Sequence, residues 1–398
     1  MTGTGPLWTS TGAPPNGTPT GPTEDPFNDL DRLAHAADEQ GHWQIAIAYA
    51  FGHLAEPTTT RGHGFTSPLL HARWIPAHGP SSADALEPDR AGAPRHTRLP
   101  IGGETAYRQA VSRAIRLIHA GDVFQVNLAH TLGAEVDAAP AAVASALMAA
   151  ARPRHGLVMP IPGDRPGDKG RVLACASPEL FLRVEGGRVV TRPMKGTRPG
   201  GADPVELRDA PKDRAELAMI VDLMRNDLGR VCEFGSVSVD RERVIERHGC
   251  DPEAGRSGVL QAIAEISGTL PPGVGFGKLL RATFPPGSIT GAPKVRAMQI
   301  INELESFERG FYCGCCGTLT PGADWSAELG VSIRTATISE RTDGGSLIEY
   351  PVGAGIVADS DPDAEWRETL DKAGVLRAAI EHTRTPTATG VEPAGAMR

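Results

Sequence analysis

Strand-like and helix-like segments follow one another irregularly along this chain. "VFQVNLAHTL" and "RVLACAS" are typical of strands, and "LFLRVEGGRVVTRP" predicts a hairpin that turns at Gly186-Gly187. Helical spacing of apolar residues in "TAYRQAVSRAIRLIHAGD", which ends at Gly121, and in "APKDRAELAMIVDLMRNDLGR" predicts two helices, the second running from Pro211 to Gly229. Because there is no regular βαβ alternation, the pattern favours an α+β sheet architecture over a Rossmann or barrel fold.

The C-terminal third continues this mixture. "TGAPKVRAMQIINELESFERG" predicts a helix with Pro293 in its first turn and Gly310 as its stop. "FYCGCCGTLT", "AELGVSIRTATIS" and "SLIEYPVGAGIVAD" predict strands. "DSDPDAEWRETLDKAGVLRAAIEH" predicts one closing helix, with Asp361 as its N-cap and Pro362 at its first position.

Composition divides the 398 residues into four parts. Residues 1–24 and 385–398 have few large apolar side chains and cannot bury enough surface to offset their ordering entropy, so both are predicted to be disordered tails. Residues 25–103 form a short N-terminal region that ends in a polar linker, and residues 104–384 form the main domain.

Charge and cysteine content exclude several classes of protein. A formal net charge of −8 argues against nucleic-acid binding, and no apolar run is long enough to span a membrane. Because no secretory signal precedes them, the six cysteines are expected to be reduced thiols in a cytoplasmic protein. "YCGCCG" lacks the C-x-x-C spacing of zinc sites and fits small buried residues better.

Two predicted helices carry acidic residues on one face each: Asp213 and Glu216 on the first, and Glu365 and Glu368, with Lys372, on the second. If these faces meet, up to four carboxylates converge and require a cation, for which oxygen ligands select Mg²⁺. The alternative is two solvated faces with intrahelical pairs, Lys212 with Glu216 and Glu368 with Lys372. Spacing alone favours the solvated faces.

Other segments leave alternatives open. The loop "PPGSITGAPK", with Ser288, Thr290 and Gly291, is either an anion site at a helix N-terminus or an ordinary capped loop. Gly353 and Gly355 in "PVGAGIVADS" indicate either a bulge or close approach of a ligand.

The roles of two basic residues also have open alternatives. Arg334 lies in an apolar strand and needs an anionic partner if buried, either a substrate carboxylate or a structural acid. Lys195 in "RPMKGTRP" is a surface charge at a turn, a partner of a carboxylate, or a nucleophile.

Six segments together resemble the chorismate-utilising enzymes, which include anthranilate synthase and aminodeoxychorismate synthase large subunits, isochorismate synthases and salicylate synthases. The segments are "GDVFQVNLAH", "ASPELFLRVEGGRVVTRPMKGTRP", "KDRAELAMIVDLMRNDLGRVCEFGSVSV", "FPPGSITGAPKVRAMQIINELE", "GVSIRTATI" and "GAGIVADSDPDAEWRETLDKA". They occur in family order over residues 107–373. The resemblance implies a β-sandwich of two large sheets flanked by helices, with the active site between the sheets.

The resemblance also implies roles for individual residues. Glu216 and Glu368 would hold Mg²⁺ with Asp213 and Glu365 behind them, and the ion would hold the ring carboxylate of chorismate. Glu179, in "SPELF", would protonate the departing C4 hydroxyl. The substrate pocket would include the following residues: Gly196, Thr197, Ser288, Thr290, Gly291, Tyr312, Arg334, Gly353, Gly355 and Lys372.

Gln125 and Lys195 discriminate between the branches of the family. Isochorismate and salicylate synthases that look like this chain place a lysine base where Gln125 stands, and an amide cannot abstract a proton. Anthranilate synthases carry alanine at the position of Lys195, whereas aminodeoxychorismate synthases carry a lysine that attacks C2 of chorismate. The resemblance therefore favours the aminodeoxychorismate synthase large subunit, part of folate precursor supply, over anthranilate synthase.

Two departures from the family pattern bear on this interpretation. Gln261 replaces an active-site histidine, and Cys315-Cys316 replaces a small aliphatic pair. The missing histidine favours, as an alternative, a chorismate-binding subunit without catalysis. No glutaminase nucleophile motif is present, so ammonia is expected from a separate glutamine amidotransferase subunit or from free ammonium.

Overall fold

The protein is described by a computed structural model. It describes residues 8–11, 25–35, 41–56, 58, 69–77, 103–163, 169–248 and 258–384. Its strands are β1 (Trp8–Thr11), β2 (Gly41–Ile47), β3 (Leu70–Pro76), β4 (Gln125–Val136), β5 (His155–Ile161), β6 (Arg171–Ser177), β7 (Leu180–Glu185), β8 (Arg188–Arg192), β9 (Met194–Pro199), β10 (Ser238–His248), β11 (Val259–Thr269), β12 (Gly291–Ala292), β13 (Cys315–Thr320), β14 (Ser326–Val331), β15 (Thr335–Glu340) and β16 (Ser346–Ile356).

The helices surround the sheets. They are α1 (Pro26–Ala34), α2 (Gly52–Ala55), α3 (Glu104–His119), α4 (Pro140–Ala151), α5 (Pro204–Arg208), α6 (Pro211–Gly229), α7 (Phe276–Thr283), α8 (Lys294–Leu304), α9 (Pro362–Lys372) and α10 (Gly374–Arg384).

Two sheets form the body of the described chain. The larger sheet has the order β1-β3-β2-β13-β14-β7-β8-β11-β10, and β9 lies off this path and also pairs with β11. The smaller sheet has the order β12-β4-β16-β15-β6-β5. Neighbouring strands are antiparallel, and β1 and β3 are a parallel exception. The two-sheet architecture flanked by helices confirms the predicted α+β fold class.

The smaller sheet is buried on both faces, as alternation along β6 shows. Leu173 and Cys175 belong to the core that the two sheets share, whereas Ala174 and Ala176 pack into a second core with α4 and α10. Because successive side chains of a strand point to opposite faces, one strand supplies both cores. This explains why "RVLACAS" is almost continuously apolar.

Several predicted elements are confirmed. The β7–β8 hairpin turns at Gly186 and Gly187, which have φ of 55° and 75°, a conformation that glycine adopts without steric cost. Helix α6 runs from Pro211 to Gly229 as predicted. Asp361 caps α9 by accepting from two backbone N–H groups, with Pro362 at the first position.

Other predictions were wrong in detail. The closing helix is two helices that break at Ala373, next to Gly374, whose helix propensity is low. Helix α8 starts at Lys294 with Pro293 as its N-cap and ends at Leu304, ahead of Gly310.

Two further segments differ from the predictions. "AELGVSIRTATIS" is two strands in different sheets, because the chain crosses between the sheets at Arg334, where φ is 51°. Within the predicted disordered tail 1–24, residues 8–11 form a strand through backbone pairing with β3. The rest of that tail, most of the linker 78–103 and the tail 385–398 lie outside the described residues.

Candidate active site

Lys195 lies on β9 where this strand bulges against β11. Gly196 is the extra residue of the bulge, with φ of 75°. A Cβ at this position would lie 2.7 Å from Leu207 Cδ1 and 2.9 Å from Asp213 Oδ1, closer than real Cβ atoms approach. Glycine is therefore required for β9 to pass this close to α5 and α6, which brings Lys195 next to the acidic face of α6.

Lys195, Gln125 and Gly355 meet at one point. A Cβ added to Gly355 would collide with Gln125 Nε2 and would lie 3.2 Å from Lys195 Nζ. Gln125 is fully buried, and neither its Oε1 nor its Nε2 has a hydrogen-bond partner among the described residues. Buried polar atoms rarely remain unpaired, so this point is a place for a polar ligand.

The surroundings of the Lys195 amine lower its pKa. Burial lowers its pKa, nearby Glu216 raises it, and the Lys372 ammonium lowers it again, with a net decrease. Lys195 forms no hydrogen bond or ion pair with a described residue. The alternative in which Lys195 pairs with a carboxylate is therefore not formed with a described residue, and Glu179 acts on Lys195 only at longer range.

Glu179 lies in the connection between β6 and β7 and is 4% exposed. Its Oε1 accepts a hydrogen bond of 2.5 Å from Ser288 Oγ. Burial raises its pKa to about 7, although the Ser288 hydrogen bond and the Lys195 charge both oppose this. A carboxylic acid with this pKa can donate a proton near neutral pH, as the predicted role requires.

The loop before α8 is held by its own hydrogen bonds. Thr290 Oγ1 donates to the carbonyl of Pro286 at 2.8 Å, and the carbonyl of Thr290 accepts from the N–H of Asn127. Gly291 has φ of 136° and pairs with β4, and a Cβ there would collide with the carbonyl of Gln125. The loop thus supports Gln125 and, through Ser288, Glu179. Anion binding by this loop stays a prediction.

Acidic residues of α6 and α9 lie close enough to interact. Glu216 and Glu368 interact electrostatically, and each also interacts with Lys195. Burial raises the pKa of Glu216, whereas at Glu368 the opposing effect of Lys372, 2.7 Å away, lowers the pKa overall. Asp213 pairs with Arg198 at 2.9 Å.

The remaining acid, Glu365, accepts from Ser360 Oγ at 2.6 Å, and burial raises its pKa. No three His, Cys, Asp or Glu side chains of the described chain are arranged to hold a metal ion. The donor set nevertheless fits Mg²⁺, because Glu216 and Glu368 are oxygen ligands whose mutual repulsion a cation would relieve. Lys212 lies near Asp359 at 3.8 Å rather than pairing with Glu216.

Helix α9 is fixed to the smaller sheet by two polar contacts. His130 on β4 shares a hydrogen bond of 2.8 Å with Thr369, and Lys372 Nζ donates to the carbonyl of Gly353 at 2.8 Å. Lys372 therefore contacts both the carbonyl of Gly353 and the carboxylate of Glu368. Its predicted role in binding a substrate carboxylate stays a prediction.

Arg334 sits at the crossover between the sheets and forms no ion pair with a described acid. Burial lowers its pKa. Its predicted role in binding a substrate carboxylate stays a prediction. Tyr312 is buried beside Cys313 and Arg309, and burial raises its pKa far above the usual range.

Sequence reasoning missed Asn127, which follows Gln125 by two residues on β4. It is buried, and its Nδ2 has no hydrogen-bond partner among the described residues. Residues two apart in a strand share a face, so two amides in the apolar run "VFQVNLAH" were a detectable signal.

A buried ion pair that supports this region was also missed. Arg309 and Glu305 pair at 2.6 Å with both side chains 3% exposed. The guanidinium donates to the carbonyls of Asn127 and Ile289, and Glu305 accepts from the N–H of Ala129. The pair therefore ties α8 to β4 and to the Ser288 loop. Glu305 and Arg309 have the i, i+4 spacing of a helix pair, although α8 ends before them.

The model of the family described as chorismate binding enzyme matches residues 33–378. The chain belongs to this family. The resemblance predicted from the six segments is thereby confirmed.

The similar proteins carry the names of two branches of the family. The chain is 39% identical over 292 residues to anthranilate synthase component 1 3 of Haloarcula marismortui, covering 70% of this chain and 52% of the relative. It is 40% identical over 271 residues to aminodeoxychorismate synthase component 1 of Klebsiella aerogenes, covering 66% and 55%. The chain spans about half the length of the curated relatives it matches.

Solved structures of the family share the fold. Anthranilate synthase component I from Streptococcus pneumoniae superposes with a TM-score of 0.72 at 25% identity, covering 90% of this chain and 87% of that one. The menaquinone-specific isochorismate synthase of Escherichia coli has a TM-score of 0.59 at 20% identity, covering 90% and 93%, and supports the fold alone. No helix among the described residues is long and apolar enough to cross a membrane.

Proposed function

We propose that this chorismate-binding enzyme is the large subunit of an aminodeoxychorismate synthase, which replaces the C4 hydroxyl of chorismate with an amino group. The observation that carries the proposal is the Lys195 amine, which has a lowered pKa and no ion partner among the described residues and faces the space at Gly355 beside Gln125. An amine in this state can act as a nucleophile.

The reaction divides into two displacements. In the first, neutral Lys195 attacks C2 of the ring, the ring double bonds shift, and the C4–O bond breaks. Glu179 gives its proton to the departing hydroxyl, which leaves as water. In the second, ammonia forms a bond to C4, the double bonds shift back, the C2–N bond to Lys195 breaks, and one proton is released from the new ammonium. Chorismate and ammonia give 4-amino-4-deoxychorismate and water.

Other residues of the site hold the substrate in place. Glu216 and Glu368, with Asp213 and Glu365 behind them, would hold Mg²⁺, which neutralises the ring carboxylate when bound. Arg334 pairs with the second carboxylate, on the enolpyruvyl side chain. Gln125 offers amide hydrogen bonds beside the nucleophile and cannot act as a base toward water.

Ammonia is proposed to come from a glutamine amidotransferase subunit. The relatives are named component 1, which supports a partner, and no glutaminase motif occurs in the sequence. Anthranilate formation is the second candidate, because several relatives are named anthranilate synthase component 1. A chorismate-binding subunit without catalysis is the third, and Gln261 favours it.

Product identification separates these candidates. The protein is incubated with chorismate, Mg²⁺ and ammonium, and the product is identified by mass and fluorescence. The proposal predicts 4-amino-4-deoxychorismate, which retains the enolpyruvyl group. Fluorescent anthranilate with release of pyruvate would refute it. Binding of chorismate without consumption would favour the non-catalytic subunit.

A further inference from the structure

The imidazole of His248, at the end of β10, is buried and has no hydrogen-bond partner among the described residues. It is 6% exposed, and neither ring nitrogen forms a hydrogen bond with a described residue. Its nearest acid is Glu246, whose Oε2 lies 3.8 Å from Nε2, beyond hydrogen-bond distance. That carboxylate is already bound by Arg154 and Arg192. Because buried polar atoms are usually hydrogen-bonded, the two ring nitrogens mark a place for a polar ligand.

The strand register places His248 on the same face of the larger sheet as Gln261 and Thr197. Glu246 pairs with Gln261, and Gln261 pairs with Thr197 on β9. His248 follows Glu246 by two residues in regular register, so its side chain shares the face of Gln261 and Thr197. The Oε1 of Gln261 is also buried without a partner among the described residues. Unpaired groups thus lie in two adjacent strands of this face.

Arg334 lies close enough to act on His248. Burial, together with the charges of Arg154, Arg334 and Arg192, lowers the pKa of His248 to about 4, although Glu246 opposes this. The imidazole is therefore neutral at pH 7 and has one N–H to donate. The neutral N–H of His248 and the guanidinium of Arg334, which has no acid partner in the described chain, could together bind one carboxylate.

We propose that His248 is a substrate-binding residue, which donates an N–H to the same carboxylate that Arg334 pairs with. The ring carboxylate is assigned to the acidic faces of α6 and α9, so this second carboxylate is that of the enolpyruvyl side chain. The inference rests on the proposed function only in taking chorismate as the anion. His248 restores to the site an imidazole that β11 lacks at Gln261.

Steady-state kinetics give the first test. His248→Phe keeps a buried ring and removes both nitrogens, so KM for chorismate rises about tenfold or more, as expected for losing a hydrogen bond to a charged group. His248→Gln retains a donor and restores part of the affinity. His155→Gln is the matched control: its buried ring is already bound to Glu328 at 2.9 Å, so KM stays unchanged. Equal KM values for wild type and His248→Phe would overturn the inference.

Imidazole NMR gives a test that is independent of turnover. In ¹⁵N-histidine protein carrying Lys195→Ala, which leaves chorismate unreacted, the signals missing from His248→Phe identify His248. Saturating chorismate shifts these signals and raises the pKa of His248, because a nearby anion favours the charged ring. Signals and pKa that stay unchanged would overturn the inference.

The two proposals fail separately. Amination at C4 together with an unresponsive His248 would refute the binding role and leave the proposed function intact. Anthranilate as the product, with a responsive His248, would refute the proposed function and leave the binding role intact.

Discussion

The hydroxyl of Ser288 donates a hydrogen bond of 2.5 Å to Glu179 Oε1. This contact stabilises the ionised carboxylate and opposes the burial that raises the pKa of Glu179 to about 7. The loop before α8, 109 residues further along the chain, thus sets the acidity of a group in the β6–β7 connection. The fraction of Glu179 that can donate a proton falls as the pH rises through about 7.

Ser288→Ala is therefore expected to shift the pH dependence of catalysis. Without the donor, the pKa of Glu179 rises, and the falling limb of kcat/KM moves to higher pH. Ser112→Ala, which removes a hydroxyl bound to a backbone carbonyl within α3, leaves the profile unchanged. A limb that stays in place or moves to lower pH in Ser288→Ala would argue against Glu179 as the acid.

Glu179→Gln tests the proton donor directly. The amide fills the same space but cannot donate a catalytic proton, so kcat should fall on the order of 10²–10⁴-fold. Added chorismate should still protect the variant in thermal unfolding, because the carboxylate-binding residues remain. Retention of wild-type kcat would assign the proton to another group.

Gly355→Ala is expected to block the point where Gln125 and Lys195 meet. The added Cβ would collide with Gln125 Nε2, and a displacement near 1 Å in the reacting groups can cost on the order of 10²-fold in rate. Gly229→Ala, at the end of α6, has no atom within 4 Å of the new Cβ and is the control. Equal kcat/KM for both variants would place the reaction elsewhere.

The carboxylate pair predicts a specific dependence on Mg²⁺. Glu216→Gln or Glu368→Gln removes a charged ligand, so the Mg²⁺ concentration for half-maximal activity should rise by about tenfold or more. Asp222→Asn, on an exposed face of α6, should leave it unchanged. Calorimetric titration with Mg²⁺ gives the same comparison without turnover, and unaltered Mg²⁺ binding in both glutamine variants would contradict the assignment.

The Arg309–Glu305 pair should matter for stability. Arg309→Met leaves Glu305 buried and uncompensated, which costs about 3–5 kcal/mol in the free energy of unfolding. Arg183→Met breaks an ion pair with Glu328 whose side chains are 45% and 40% exposed, which costs at most about 1 kcal/mol. Urea unfolding of both variants measures the difference, and equal costs would contradict the structural role.

Local sequence signals predicted the elements that depend on local chemistry. Pro211 and Gly229 mark the ends of α6, and Gly186-Gly187 marks a hairpin, because these residues determine backbone conformation within a few positions. The crossover at Arg334 was missed, because its left-handed backbone depends on two sheets pairing on either side of it.

The site itself is assembled by long-range pairing. Gln125, Lys195 and Gly355 come from β4, β9 and β16, and periodicity within one strand does not reveal that they meet. The acidic helices could be identified from spacing, but only tertiary packing brings Glu216 and Glu368 close enough to interact. His248 was missed because a lone histidine in a polar strand carries no local signal.

Peptide mass spectrometry can detect Lys195 as the nucleophile of C4 amination through its covalent intermediate. The protein is incubated with chorismate and Mg²⁺ without ammonium, quenched and digested. We expect the peptide with Lys195 to gain the mass of chorismate less one water, and we expect ammonium to remove the adduct with formation of 4-amino-4-deoxychorismate. Lys195→Ala should show neither adduct nor product. Amination at C4 by Lys195→Ala at the wild-type rate would contradict the claim.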